Sequence, residues 1–516
     1  MPHWFNVAGP CRPDIHYMLP PAERLPDVMP LIEQQAYFVL HAPRQTGKTT
    51  AMLALAQALT AASTYTAVLL TMEVGAAFND DPGAAELAIL ADWSDAATWQ
   101  LPAELHPPPW PDAEPGARIG SALRAWAGAS PRPLVVFLDE IDALQNAALI
   151  SVLRQLRAGF PRRPTAFPWS LALIGLRDVR DYKVASGGSE RLSTASPFNI
   201  KTRSLTLDTF TQHEVAALYA QHTAGTGQPF MADAVAHAFT LTQGQPWLVN
   251  ALAKVAVEQL ASDRSQAISL ALIDQAKEVL IARQDTHLDS LAERLREPRV
   301  RAIIEPMLAG QMLNDVPPDD LRFVQDLGLV RLDPAGGLAV ANPIYQEVLP
   351  RVLASTAIAS LPQMSPIWLT PDGRLDALRL LEAFLAFWRQ HGEPLLRTAP
   401  YAEIAPHLVL MAFLHRVANG GGTLEREYAI GRDRMDLCLR YGPDVLGIEL
   451  KVWRDQRPDP LVAGLAQLDS YLARLGQATG WLVIFDQRRA QPPIGERTQA
   501  GVVASPGGRA ITVIRA

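Results

Sequence analysis

The segment YFVLH-APRQTGKTT-AMLALAQAL, Tyr37 to Leu59, constrains the fold more than any other part of the sequence. An apolar run of strand length leads into a loop holding Gly47, Lys48 and Thr49, and a helical pattern follows at once. A loop in that place aims backbone N–H groups and the positive end of the helix at one point, which suits a polyphosphate. Lys48 then reaches the outer phosphate oxygens, and the Thr49 hydroxyl is placed to ligate magnesium. Ala42, Pro43, Arg44, Gln45, Thr46 and Thr50 complete the cradle. Such loops commonly begin with Gly where Ala42 stands, a modest change provided the backbone there keeps a negative φ.

From Ala36 to Ile174 short apolar runs alternate with helical patterns, which predicts a parallel sheet covered on both faces. The Pro-rich HPPPWPDAEPG (His106 to Gly116) reads as a surface loop inserted between the second and third strands. The third run, LVVFLDEID, ends in carboxylates: Asp139 is placed to hold magnesium through water, and Glu140 to polarise an attacking water. Asp142 reads as an acid opening a helix. In LALIGLRD, Arg177 follows the fourth run and is placed to sense a γ-phosphate; an ion pair with Asp178 or Asp181 is the other reading.

The chain has 516 residues, enough for about three domains at roughly 150 residues each. Hydrophobic residues are 48% and charged residues 19%, too apolar for a largely disordered protein. The net charge of −7 excludes a uniformly basic coat, so nucleic-acid contact would need a local patch. Cys11 and Cys438 are too few for a disulfide framework. The N-terminus lacks the pattern of a secretory signal and no long uncharged apolar run occurs, so we expect a cytoplasmic protein without membrane contact.

After the sheet region, apolar residues three and four apart predict a helical lid, then two or three short helices and a hairpin that fit a winged helix. The expected order is a core at 1–204, a lid at 205–292, a winged helix at 293–356, a linker at 357–372 and a mixed α/β domain at 373–516. Two arginine groups, Arg154 to Arg163 and Arg294 to Arg301, are placed to contact phosphate or to pair within the protein.

In the last domain RMDLCLRY and VLGIELKV read as neighbouring strands around the turn YGPDV. Alternation puts Glu449 and Lys451 on one face, within reach of Asp436 on the next strand. Two carboxylates beside a lysine suit one or two magnesium ions and a phosphodiester. Glu-Leu-Lys by itself is also an ordinary amphipathic strand. Trp453 and Trp481 read as core or rim residues.

On APRQTGKTT, LVVFLDEID, LIGLRD and GQPWLVNALA, residues 1 to about 290 resemble the AAA-like and STAND-like branch of P-loop ATPases. The resemblance implies ATP with Mg2+, a switch role for Gly244 and Pro246 in the lid, and Tyr17 and Arg24 beside adenine. A helix-opening Pro after a Gly turn is the structural reading of that lid motif. Asp436, Glu449-Leu450-Lys451, Gln467 and Tyr471 together resemble the PD-(D/E)XK nuclease superfamily in its RecB-like form, over about residues 373 to 490. That resemblance implies an upstream acid, Glu403 ahead of Glu427; the departure is Met435 where the family places Pro.

The expectation is an α/β protein in which a Mg-dependent ATPase controls a nuclease-like domain acting on DNA, or less favourably RNA. Homo-oligomer formation on ATP binding is expected with it. The alternatives are a signalling or scaffold ATPase whose C-terminal domain binds nucleic acid without cleaving it, and a DNA-remodelling or loader ATPase.

Overall fold

The computed structural model describes residues 3–176, 200–283, 291, 293–308, 313, 316–333, 336–349, 367–398, 405–418, 422–430 and 433–516. They form two compact units, Met1–His287 with Pro317–Pro343, and Leu288–Val316 with Ile344–Ala516. The segment expected as a winged helix is thus shared between them; its described parts are the helices Pro298–Leu308 and Pro318–Asp326 and a hairpin of β6 (Val330–Leu332) and β7 (Leu338–Val340). No helix among the described residues is long and apolar enough to cross a membrane.

The first unit is built on a parallel sheet of β1 (Tyr37–His41), β2 (Thr66–Thr71), β3 (Leu134–Asp139), β4 (Ser170–Gly175) and β5 (Arg203–Thr206), in the order β2-β3-β4-β1-β5. The central strands are buried almost throughout, because helices cover both faces. Alternation along each strand sorts the side chains into two cores. Tyr37, Val39, Val136 and Leu138 pack under the helices Pro82–Gln100 and Arg118–Ala129. Phe38, Leu40, Val135 and Phe137 pack with the helix Lys48–Ala61. Each such fully buried side chain contributes about 1.5–3 kcal/mol. Residues 107–114 carry no regular structure between β2 and β3, as the prolines predict. The segment expected as a lid holds the helices Gln212–Thr226, Ala232–Thr242, Pro246–Val255 and Leu270–Arg283.

The second unit carries a mixed sheet in the order β12-β13-β11-β10-β9-β8. Its strands are β8 (Gly422–Ile430), β9 (Asp433–Tyr441), β10 (Asp444–Trp453), β11 (Thr479–Asp486), β12 (Gln499–Ala504) and β13 (Ala510–Arg515). The helices Ala377–Thr398 and Ala405–Ala418 cover one face through Phe384, Trp388 and Phe413. The helix Leu461–Leu475 covers the other through Leu465, Leu468 and Leu472. Trp368, inside the expected linker, is buried in the first of these cores, while residues 357–366 lie outside the described ones. Trp481 is buried and Trp453 lies at the margin under the Arg488 guanidinium at 3.4 Å.

Candidate functional site

The loop between β1 and the helix Lys48–Ala61 keeps Ala42 out of the left-handed region, so Gly is not required there. Gln45 (φ 58°) and Gly47 (φ 93°) make the sharp turns instead, and Gly47 caps the helix. The Lys48 ammonium donates to the carbonyls of Ala42 at 2.8 Å and Pro43 at 2.9 Å. The Thr46 hydroxyl also donates to Pro43, at 2.9 Å. Lys48 is 9% exposed. Burial pushes its ammonium down, while the carboxylates of Glu140, Asp139 and Asp142 hold it up.

β3, separated from β1 by β4, ends at Asp139, whose carboxylate meets the start of the loop helix. The Thr49 hydroxyl donates to Asp139 Oδ2 at 2.7 Å, and the Glu140 N–H donates to Asp139 Oδ1 at 2.9 Å. Burial pushes the Asp139 carboxyl up, and the Thr49 bond opposes it. Glu140, held at φ 53°, is raised by burial and then by the neighbouring charges of Asp142 and Asp139. Asp142 sits in the short helical turn Ile141–Ala143, and its Oδ1 accepts from the Leu176 N–H at 3.2 Å, tying the ends of β3 and β4 together.

These groups border a cavity of about 440 Å³. Arg44, Gln45, Thr46, Gly47, Lys48, Thr49 and Thr50 line it, with Glu140 and Asp142. Ala42, Pro43 and Asp139 stand behind that lining and act on it through the bonds above. Of the residues carried over from family resemblance, Tyr17, Arg24 and Pro246 line the cavity. The Tyr17 hydroxyl is 3.2 Å from His222 Nδ1, and Arg24 donates to Glu214 at 3.0 Å and to the Asp208 carbonyl. Gly244 is not part of the lining. It closes on the backbone of Phe210, whose N–H donates to its carbonyl at 2.7 Å, and Phe210 does line the cavity. Arg177 lies outside the described residues.

Sequence reasoning missed the N-terminal wall and most of the lid wall. The Cys11 N–H donates to Thr50 Oγ1 at 3.0 Å, and Trp247 donates to the Val7 carbonyl at 2.8 Å, so residues 6–11 form one side of the cavity. Nothing local in that segment announces it. Asn250 did carry a signal, as the polar residue inside the apolar run Pro246 to Ala253.

In the second unit β9 and β10 are antiparallel, with Leu437 opposite Ile448 and Cys438 opposite Gly447. One step further along this register stand Asp436 and Glu449. Asp436 Oδ2 accepts from the Leu450 N–H at 2.7 Å. The Lys451 ammonium donates to Glu449 Oε1 at 2.6 Å and to Gln467 Oε1 at 2.9 Å, and Gln467 donates to the Tyr471 hydroxyl at 2.7 Å. Five residues expected from sequence are therefore brought together. Glu449 is fully buried, and its Oε2 has no partner among the described residues. Burial, then the nearby Asp436 charge, push its carboxyl well above the usual range, and Lys451 opposes them. Glu403 and the side chain of Glu427 lie outside the described residues.

Three members of the two basic groups have internal partners. Arg294 and Arg299 share Glu297, at 2.7 and 3.1 Å, and Arg163 stacks on Phe160 at 3.5 Å.

No family model and no curated protein matches the chain. Solved structures similar to it include a Walker-type ATPase of Pyrococcus abyssi, at 12% identity and a TM-score of 0.49, covering 67% of this chain and 99% of that one. Cdc6p of Pyrobaculum aerophilum aligns at 13% identity over 67% of this chain and 96% of its own, with a TM-score of 0.37. The RuvB Holliday junction branch migration motor of Thermotoga maritima aligns at 14% identity over 63% and 92%, with a TM-score of 0.34.

Proposed function

We propose that this chain is a Mg-dependent ATP-binding and ATP-hydrolysing protein whose nucleotide state controls a C-terminal nuclease-type domain acting on DNA, or less favourably RNA. The observation that carries the first half is the convergence of Lys48, the Thr49–Asp139 pair and Glu140 at one cavity. In this reading Lys48 leaves the Ala42 and Pro43 carbonyls for the phosphates, exchanging two neutral acceptors for charged ones. Glu140, made more basic by burial and its acidic neighbours, takes up the proton of the attacking water. Arg177 is assigned the γ-phosphate from sequence position alone.

Magnesium fits both sites. Thr49 and Asp139 offer a hydroxyl–carboxylate pair, and Glu449 offers an unpartnered buried oxygen beside Asp436. When bound, the ion supplies Lewis-acid stabilisation of charge on phosphate oxygens. At the second site Lys451, held by Gln467 and Tyr471, supplies the positive charge for a phosphodiester transition state.

The test uses the full chain with labelled single- and double-stranded DNA and RNA, with Mg2+ or Mn2+, and with and without ATP. Lys48→Ala is expected to abolish hydrolysis, and Glu449→Ala or Lys451→Ala to abolish cleavage while hydrolysis persists. Wild-type hydrolysis by Lys48→Ala sinks the first half. Cleavage that survives both C-terminal substitutions sinks the second, and ATP-driven assembly with no cleavage selects a scaffold instead.

A further inference from the structure

A sheet ends in strands whose outer N–H and C=O groups have no ladder partner, and native proteins guard such edges against pairing with another chain. Among the described residues the two large sheets end in β2, β5, β8 and β12. Three of these edges carry a guard. On β2 the Thr60 hydroxyl donates to the Ala67 carbonyl and accepts from the Ala67 N–H, each at 3.0 Å. The Gln100 amide does the same for Leu69, at 2.6 and 3.0 Å. β5 carries Arg203, paired with Asp27 at 3.0 Å, and β8 has the consecutive charges Glu425, Arg426 and Glu427 in its sequence. β12 has none of these devices. It reads QAGVVA, without charge or proline, all six residues are exposed, and Val502 is 71% exposed.

The register shows which of its groups are free. At the turn the Ser505 N–H donates to the Arg509 carbonyl at 2.9 Å and the Ser505 carbonyl accepts from the Gly508 N–H at 2.9 Å, so Ser505 bonds inward. Antiparallel pairing alternates between bonded and unbonded residues, and β12 keeps one register with β13 from Ala504–Ala510 to Gln499–Arg515. Val503, Gly501 and Gln499 therefore bond to β13, while Ala500, Val502 and Ala504 turn their N–H and C=O groups outward.

These three residues are symmetric about Val502. A two-fold axis there sets Val502 against the same valine of a second copy and Ala500 against that copy's Ala504, so every outward group gains a partner. Valine meets valine, alanine meets alanine, and no like charges are opposed. That symmetry selects a second copy of this chain as the occupant.

We propose that β12 is a homodimer interface, two copies pairing antiparallel through it to form one continuous sheet. The pairing needs neither nucleotide nor metal, so it stands apart from the function proposed above and from assembly driven by ATP.

Sedimentation velocity of the full chain without nucleotide, at rising micromolar concentration, tests it, together with hydrogen exchange over the same range. The parent is expected to shift from one to two chains per particle, and exchange at Ala500, Val502 and Ala504 to slow as it does so. Val502→Lys places two ammonium groups side by side at the axis and is expected to stay at one chain, with a thermal melt confirming the fold. A parent that stays monomeric overturns the proposal, as does a dimer that survives Val502→Lys. A parent dimer in which those three amides exchange as fast as in the monomer overturns it without need of any variant.

Discussion

Gly244 offers a sharp test of how the lid is held together. Its φ is +73°, and a Cβ built there would lie 1.8 Å from the Phe210 carbonyl oxygen. Real Cβ contacts stop near 3.0 Å, so Gly244→Ala must part the two segments by the difference. That movement removes the 2.7 Å bond from the Phe210 N–H to the Gly244 carbonyl. Losing the bond costs about 1 kcal/mol, rising toward about 3 where the groups stay buried without partners. The left-handed backbone adds about 1 kcal/mol for any side chain. The expected loss is about 2–4 kcal/mol, a large fraction of a domain's net stability.

Gly227 is the internal reference. It has φ +79° and nothing within 4 Å of its Cβ position, so Gly227→Ala carries only the backbone cost, about 1 kcal/mol. Hydrogen exchange across the helices Gln212–Thr226 and Pro246–Val255 reads the local opening free energy in each variant. Gly244→Ala should lose about 1–3 kcal/mol more protection than Gly227→Ala. It should also weaken ATP binding, since Phe210 borders the cavity. Equal protection in the two variants refutes the close approach as the reason for Gly at 244.

Four further outcomes are expected. Lys48→Met should melt no lower than the parent, since it removes a buried ammonium that burial already disfavours, yet should lose ATP binding in titration. Gly128→Ala, in a helix with nothing within 4 Å, should raise stability by up to about 1 kcal/mol in chemical unfolding. Gly159→Ala places a Cβ 2.1 Å from the buried Phe167 ring and should cost about 1–3 kcal/mol in the same assay. At Glu214, burial pushes the carboxyl up, but bonds from Thr211 and Arg24 outweigh it and leave it below its ordinary value. Its contribution is therefore present above the ordinary carboxylate range and is lost as pH falls through the lower folded value. Melts from pH 7 to 3 should show a smaller acid-induced loss in Glu214→Gln than in the parent, and identical slopes would refute the assignment.

What could be read from the sequence divides by physical cause. β1 to β4 are buried on both faces and so appear as continuous apolar runs, whereas β5, reading RSLT, and β12, exposed throughout, are edge strands held by pairing with β1 and β13. Pattern in the residues themselves cannot reveal such strands. β13 also escaped, although the turn residues Ser505, Pro506, Gly507 and Gly508 stand between it and β12. The phosphate loop was legible because its chemistry fixes residue types at fixed spacing, and Asp436, Glu449 and Lys451 were legible because strand alternation fixes a shared face. Their electrostatics were not. The unpartnered oxygen of Glu449 and its raised pKa come from burial depth, set by the helix Leu461–Leu475 lying over β10. The same limit hid the wall formed by residues 6–11, whose ties run to Thr50 and Trp247. A cavity assembled from such distant pieces follows from topology and becomes legible only once the packing is known.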